Sequence, residues 1–278
     1  MMNDIDQEQE FEKLQQRLDE VQESISDPKK WRISQPGSLS HWNDIREQVS
    51  EYRENESLYF DPYAVDDLDV YQLLEQEIYF KFFCLELTYL IRLAYDLGVD
   101  STKIREIYLS VYQFWLAYAD LLSLIQSYEQ RLGVAAIELT TDYSHALFLL
   151  CCAICYGDEA DIIKIIDGLL VYPSDRLIDL ISYPYFEVET ISETYAVDYP
   201  FRQLDGLFNT TVDASAMSLY LQQLEHDQQQ GKYWEKKFFH KIALLGKWRF
   251  EALIICKLYG IELGEMKKFE SFPDEFEI

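Results

Sequence analysis

A chain of 278 residues, 49% apolar and 15% aromatic, can bury one large core or two smaller ones, which excludes a disordered chain. Its 24 basic and 50 acidic residues leave a net charge of −26. That field repels nucleic-acid phosphates and anionic membrane surfaces and attracts basic partners, so direct nucleic-acid and membrane binding are excluded as functions.

The opening residues Met-Met-Asn-Asp-Ile-Asp-Gln-Glu have neither a basic region nor an apolar stretch, so no signal peptide is expected. The apolar run from Ala146 to Tyr156 is too short for a bilayer, and the expectation is a cytoplasmic protein. Phe11, Leu14, Leu18, Val21 and Ile25 recur at spacings of three and four, which predicts an amphipathic helix ended by Asp27-Pro28. The compact basic patch that follows, Lys29-Lys30-Trp31-Arg32, reads as a solvated loop. A short helix over Trp42 to Tyr52 leads into a proline-containing loop.

Two long helices come next, Val70 to Leu97 behind an Asp69 cap and a second from Asp100 or Ser101 to about Leu132. Gly98 and Gly133 are placed to stop them, giving an antiparallel pair with a short connection. Asp142 starts a helix ending at Gly157, Asp158 starts another through Leu170, and Ser174 is the expected cap of Asp175 to Ile181. Ser182 to Pro200 lapses into a loop rich in tyrosine, proline and acids. Helices resume over Phe201 to Phe208, Asp213 to Gln229 and Tyr233 to Tyr259. With no sustained period of two and no hairpin dipeptide, the fold class is all-α, a bundle of antiparallel helical hairpins in two halves. The expected division is 1–60 as N-terminal helices and loops, 61–135 as an N-terminal helical domain and 136–278 as a C-terminal one.

Residues that could carry chemistry are few. Cys151, Cys152 and Cys155 hold a Cys-x-x-Cys spacing, but Cys84 and Cys256 are isolated and no second ligand pair exists, so buried thiols fit better than zinc. His145 lies three residues after Asp142 with no nucleophile tied to it, and His240 reads as a surface residue. No Gly-rich phosphate loop, His-Glu-x-x-His or Gly-x-Ser-x-Gly occurs. No catalytic residue, metal or cofactor is therefore assigned. In Gly246 to Gly260, read as one helix, Arg249 falls on the solvent side and Glu251 among Trp248, Ile255 and Leu258. Glu251 and Trp248 are taken as structural, with Lys247, Arg92 or Arg105 as cationic partner for the carboxylate.

Gly246-Lys-Trp-Arg-Phe-Glu-Ala, with Tyr233-Trp234 before it and Gly260-Ile261 and Phe272-Pro273 after it, resembles the C-terminal domain of the PoNi (polymorphic nuclease immunity) family of bacteria. Tyr143 to Ile181, with its Gly-Asp-Glu turn and Asp-x-Leu-Ile-Asp helix, is similar to the first helices of that domain, and Leu68 to Ala117 to the family's N-terminal domain. Lys247 stands in place of the usual tyrosine, Glu262 and Glu265 in place of adjacent aspartates, and Phe272 in place of a late tyrosine. The resemblance implies a non-catalytic helical protein that binds and neutralises a nuclease toxin delivered by type VI or contact-dependent secretion. An acidic, tyrosine-rich protein suits that task, because a DNase cleft is basic. Two other classes stay open: an adaptor or chaperone for a basic secreted effector, and an enzyme with an unrecognised carboxylate site. A homodimer stays open too.

Two windows lack any basic residue, 54–80 and 177–201. They supply the expected toxin-binding residues: Asp66, Asp67 and Asp69 in the first, and Glu187, Glu189, Glu193, Tyr195 and Asp198 in the second. The second window falls in the long irregular segment, where recognition residues often sit.

Overall fold

The computed structural model describes residues 7–32, 37–54, 70–128, 137–138, 143–171, 174–186, 190–208, 212–232, 247–273 and 276. The fold is all-α, as expected, and the chain divides into two compact units, Met1–Ala136 and Ile137–Ile278. The division falls between Ala136 and Ile137. It does not set 1–60 apart, because the first two helices pack on the next two within one unit. The reason is the apolar stripe of the first helix, which needs a partner surface to leave water.

In the first unit, α1 (Gln7–Ile25) buries Phe11, Leu14, Leu18, Val21 and Ile25, each burial worth roughly 1.5–3 kcal/mol. It packs on α4 (Ser101–Tyr128) and α2 (Ser38–Glu54), while α2 also packs on α3 (Val70–Asp96) and α3 on α4. Phe11, Phe83 and Phe114 close one aromatic cluster, with Phe11 4.6 Å from Phe114 and Phe83 5.4 Å from Phe114. Asp100, not Ser101, caps α4, accepting from the Lys103 amide at 3.1 Å. The basic patch is only half solvated. Lys29 and Lys30 are exposed, but Arg32 donates to the carbonyls of Tyr95 (2.6 Å) and Val99 (3.0 Å) and stacks over the Tyr95 ring. A guanidinium at a helix C-terminus answers the carbonyls left over there, which outweighs solvation of the loop. Asp69 and the segment after Tyr128 lie outside the described residues.

In the second unit, α5 (Tyr143–Tyr156) is apolar nearly all round and is buried from Tyr143 to Ala153. It packs on α10 (Phe250–Leu258) and α6 (Glu159–Gly168). Phe148, Phe250 and Phe276 meet with centroids 4.7–5.5 Å apart. Asp158 starts α6 in a capping box with Asp161. The other α-helices of this unit among the described residues are α7 (Arg176–Ser182), α8 (Asp205–Phe208) and α9 (Ala214–Gln229), α9 behind an Asp213 cap. Phe201–Leu204 is a 3-10 turn rather than α-helix. A single parallel pair, β1 (Ile137–Glu138) with β2 (Leu170–Val171), is the strand content of the described residues.

Two expectations fail here. The predicted helix to Tyr259 is helical only from Phe250 within 247–259, and 233–246 lie outside the described residues. Arg249 is its non-helical cap, at φ −98°, ψ 71°, so the helical wheel that faced it to solvent does not apply. Its amide donates to the Ser271 carbonyl at 2.8 Å and its side chain is 1% exposed. Among the described residues, no helix is long and apolar enough to cross a membrane.

Candidate functional site

The predicted irregular segment is irregular, yet it is pinned. Asp175 caps α7, its Oδ1 accepting from the Ile178 amide at 2.8 Å and the Tyr143 hydroxyl at 3.1 Å. Its Oδ2 accepts from the Ala196 amide at 2.7 Å, so one fully buried carboxylate ties helix, core and loop together. Asp175, not Ser174, is therefore the cap; the Ser174 hydroxyl lies 3.2 Å from that of Thr194. Burial pushes the Asp175 carboxyl up, and Asp179 adds to it, against the lowering by its three donors.

The next residues repeat the device. The Arg176 amide donates to the Thr194 carbonyl at 2.8 Å, and its side chain reaches the Ser192 carbonyl and Asp205 Oδ1. Asp179 Oδ2 accepts from the Ser192 amide at 2.8 Å. At the far end, Tyr199 donates to Asp227 Oδ2 at 2.9 Å, and Lys232 and Gln223 donate to Asp227 Oδ1. Burial opposes ionisation of Asp227, but the donors from Lys232, Tyr199 and Gln203 win and hold its carboxyl below the usual range. Backbone that would otherwise be free at 192–196 is thus spent on two carboxylates, a guanidinium and a backbone amide of the scaffold.

The outer side of this loop carries the predicted acids Glu193 and Asp198, both exposed. Asp198 is shared with Arg202, at 3.0 Å with both side chains 62% exposed, and that contact is worth little in water. Tyr195 is a correction. It is buried, and its hydroxyl donates to Asp205 at 2.8 Å, so it braces the loop instead of facing a partner. A buried aromatic needs its polar tip satisfied, and Asp205 does that. Burial first, then this bond, pushes the phenol well up. Glu187, Glu189, Asp66, Asp67 and Asp69 lie outside the described residues.

The second unit also exposes aromatic side chains, Tyr183 of the same irregular window among them. Tyr183, in the turn after α7, is 57% exposed and lies within electrostatic reach of Tyr259, whose ring is 5.9 Å from Phe208. Tyr259 and Phe208 come from different elements, and no local spacing announces their contact.

Glu251 lies in the first turn of α10, 4% exposed, where a helix N-terminus favours a carboxylate. It accepts from the Tyr220 hydroxyl of α9 at 3.0 Å. Arg249 and Tyr143 lie within electrostatic reach of the same Tyr220, so Glu251 and Asp175 belong to one buried polar band. Trp248 is half-buried beside it in sequence. Cys151 and Cys152 are buried, with Cys151 and Cys155 sulfurs 4.0 Å apart, and burial pushes the Cys151 thiol well up. Among the described residues, no group of three His, Cys, Asp or Glu side chains is placed to hold a metal.

No family model matches the chain, and no curated protein matches it. Among solved structures the chain is similar to the crystal structure of protein PA2201 from Pseudomonas aeruginosa, with a TM-score of 0.78 and 22% sequence identity. The match covers 95% of this chain and 96% of that one. At this identity the likeness establishes a shared all-helical fold.

Proposed function

We propose that the chain is an immunity protein that binds a secreted nuclease in the cytoplasm and neutralises it by covering its basic cleft. The observation that carries this reading is the pinned loop of the second unit. Its exposed acids, Glu193 and Asp198, stand on backbone held by Asp175, Arg176 and Asp179, so the acidic surface is formed before a partner arrives. Tyr183 and Tyr259 supply aromatic contact area in the same unit, the residue type that anchors interfaces. A net charge of −26 steers a basic partner from a distance. The Gly246 to Ala252 resemblance to the PoNi family favours a nuclease as that partner.

The same surface would serve an adaptor that carries a basic effector without inhibiting it. Co-expression with a candidate nuclease toxin, the product of an adjacent gene where that gene carries a toxin domain, separates the two. An immunity protein co-purifies with it, restores growth and abolishes its nuclease activity; an adaptor co-purifies and leaves the activity intact. The double reversal Glu193→Lys and Asp198→Lys is expected to lower the association rate by roughly tenfold at low salt and to flatten its salt dependence, with the melting temperature unchanged. Unchanged association would remove this loop from the interface.

A further inference from the structure

The first unit has a helix face that its own core does not use. On α3, Leu73, Phe80 and Phe83 are buried, but Tyr71 is 82%, Ile78 51% and Phe82 60% exposed. Glu75, also exposed, stands in the same line, and positions 71, 75, 78 and 82 are spaced four, three, four. That is the seam spacing with which one helix receives another, three large apolar side chains and one carboxylate in file. Tyr79, about half exposed, widens the seam, and the Tyr52 hydroxyl of α2 donates to its carbonyl, which brings the last turn of α2, with Glu51, Arg53 and Glu54, alongside. Exposed apolar area concentrated on one face of an otherwise charged protein marks a contact surface.

Charge decides which occupant fits. From Glu54 to Phe80 the sequence holds eight acids and no lysine or arginine. A second copy of this chain would bury Glu75 against another seam whose one charge is a carboxylate. Lys81, the first base after the window, already has an interaction of its own. A basic amphipathic helix meets both demands, its apolar stripe covering Tyr71, Ile78 and Phe82 and a lysine or arginine facing Glu75. We propose that this face of α3 docks a basic amphipathic helix of a partner protein. The inference stands apart from the nuclease reading, since it concerns the first unit and a partner chemistry that an adaptor would share.

The test uses the full chain and a synthetic helix of about three heptads, leucine at the seam positions and lysine elsewhere. A scrambled peptide of the same composition and a version with glutamate for lysine are the controls. Titration calorimetry is expected to show binding of the Lys/Leu helix alone. The charge-neutral pair Ile78→Ser and Phe82→Ser should weaken it at least tenfold, while Glu75→Gln should mainly reduce its salt dependence. All three positions are exposed, so circular dichroism should stay unchanged. Equal binding of the scrambled peptide, or an Ile78→Ser/Phe82→Ser variant that binds as well as the parent, would overturn the proposal. So would a micromolar dimer in sedimentation velocity that the serine variant converts to monomer, because the seam would then belong to a second copy.

Discussion

Replacing Asp175 tests whether the acidic loop is held by the scaffold or merely lies on it. Asp175→Ala removes the cap of α7, a loss of about 0.5–2 kcal/mol. It also leaves the Tyr143 hydroxyl and the Ala196 amide without their acceptor, about 1–3 kcal/mol each where no water replaces it. Against this stands relief from ionising a carboxylate whose burial pushes it up. A net loss of about 3–5 kcal/mol follows. Asp175→Asn separates the contributions. Its remaining oxygen can serve the Ile178 amide and Tyr143, but the new NH2 faces the Ala196 amide, donor against donor. The cost should fall to about 1–2 kcal/mol and concentrate in the loop. Hydrogen exchange read by mass spectrometry resolves this: amides at 190–198 should exchange faster in Asp175→Asn while those of α5 stay protected, and both should speed up in Asp175→Ala. If 190–198 exchanges alike in all three proteins and Asp175→Ala costs under about 1 kcal/mol, the carboxylate does not hold the loop, and the preformed acidic surface loses its physical basis.

Tyr220→Phe removes a donor to a buried carboxylate and should cost about 1.5–3 kcal/mol in urea unfolding of the second unit, with Glu251→Ala costing more. A Tyr220→Phe variant as stable as the parent would mean that Glu251 is satisfied by other groups. Gly98→Ala meets two obstacles, φ at +81° and the Lys30 carbonyl oxygen 1.9 Å from the added Cβ. A loss well above the ~1–2 kcal/mol of a left-handed alanine is expected in thermal unfolding of the first unit. For Asp227 the folded pKa is depressed, so its stabilisation is present above the unfolded value of about 3.9 and is lost as pH falls through the lower folded value. Asp227→Asn should therefore melt lower than the parent at pH 7, with the gap closing as pH falls through the depressed folded value; a constant gap across pH would show that its charge is not the stabilising feature.

What the sequence discloses depends on how far apart the deciding atoms are. The Asp158–Asp161 capping box, the Asp213 cap and the Gly98 stop are decided within three residues, and each stands where local chemistry puts it. The α7 cap slipped by one residue because Ser174 and Asp175 are both capable. The choice is made by Tyr143 and Ala196, 32 and 21 residues away. Arg249 is misplaced for the same reason: its amide donates to the Ser271 carbonyl, 22 residues away, and α10 starts only at Phe250, where a continuous wheel puts Arg249 inside the helix. Tyr195 shows the limit for loops, since a tyrosine beside acids reads as a surface anchor until Asp205 claims its hydroxyl from inside.

The α3 seam is the sharper case. Apolar residues surround much of that helix, and periodicity alone cannot say which of them face the core. Packing against α2 and α4 takes Leu73, Phe80 and Phe83, and leaves Tyr71, Ile78 and Phe82 outside. An amphipathic pattern marks a helix that has one partner. A helix apolar on two sides requires either a second partner or a cost in exposed surface, and on α3 the acids in the same window suit a basic partner over a second copy.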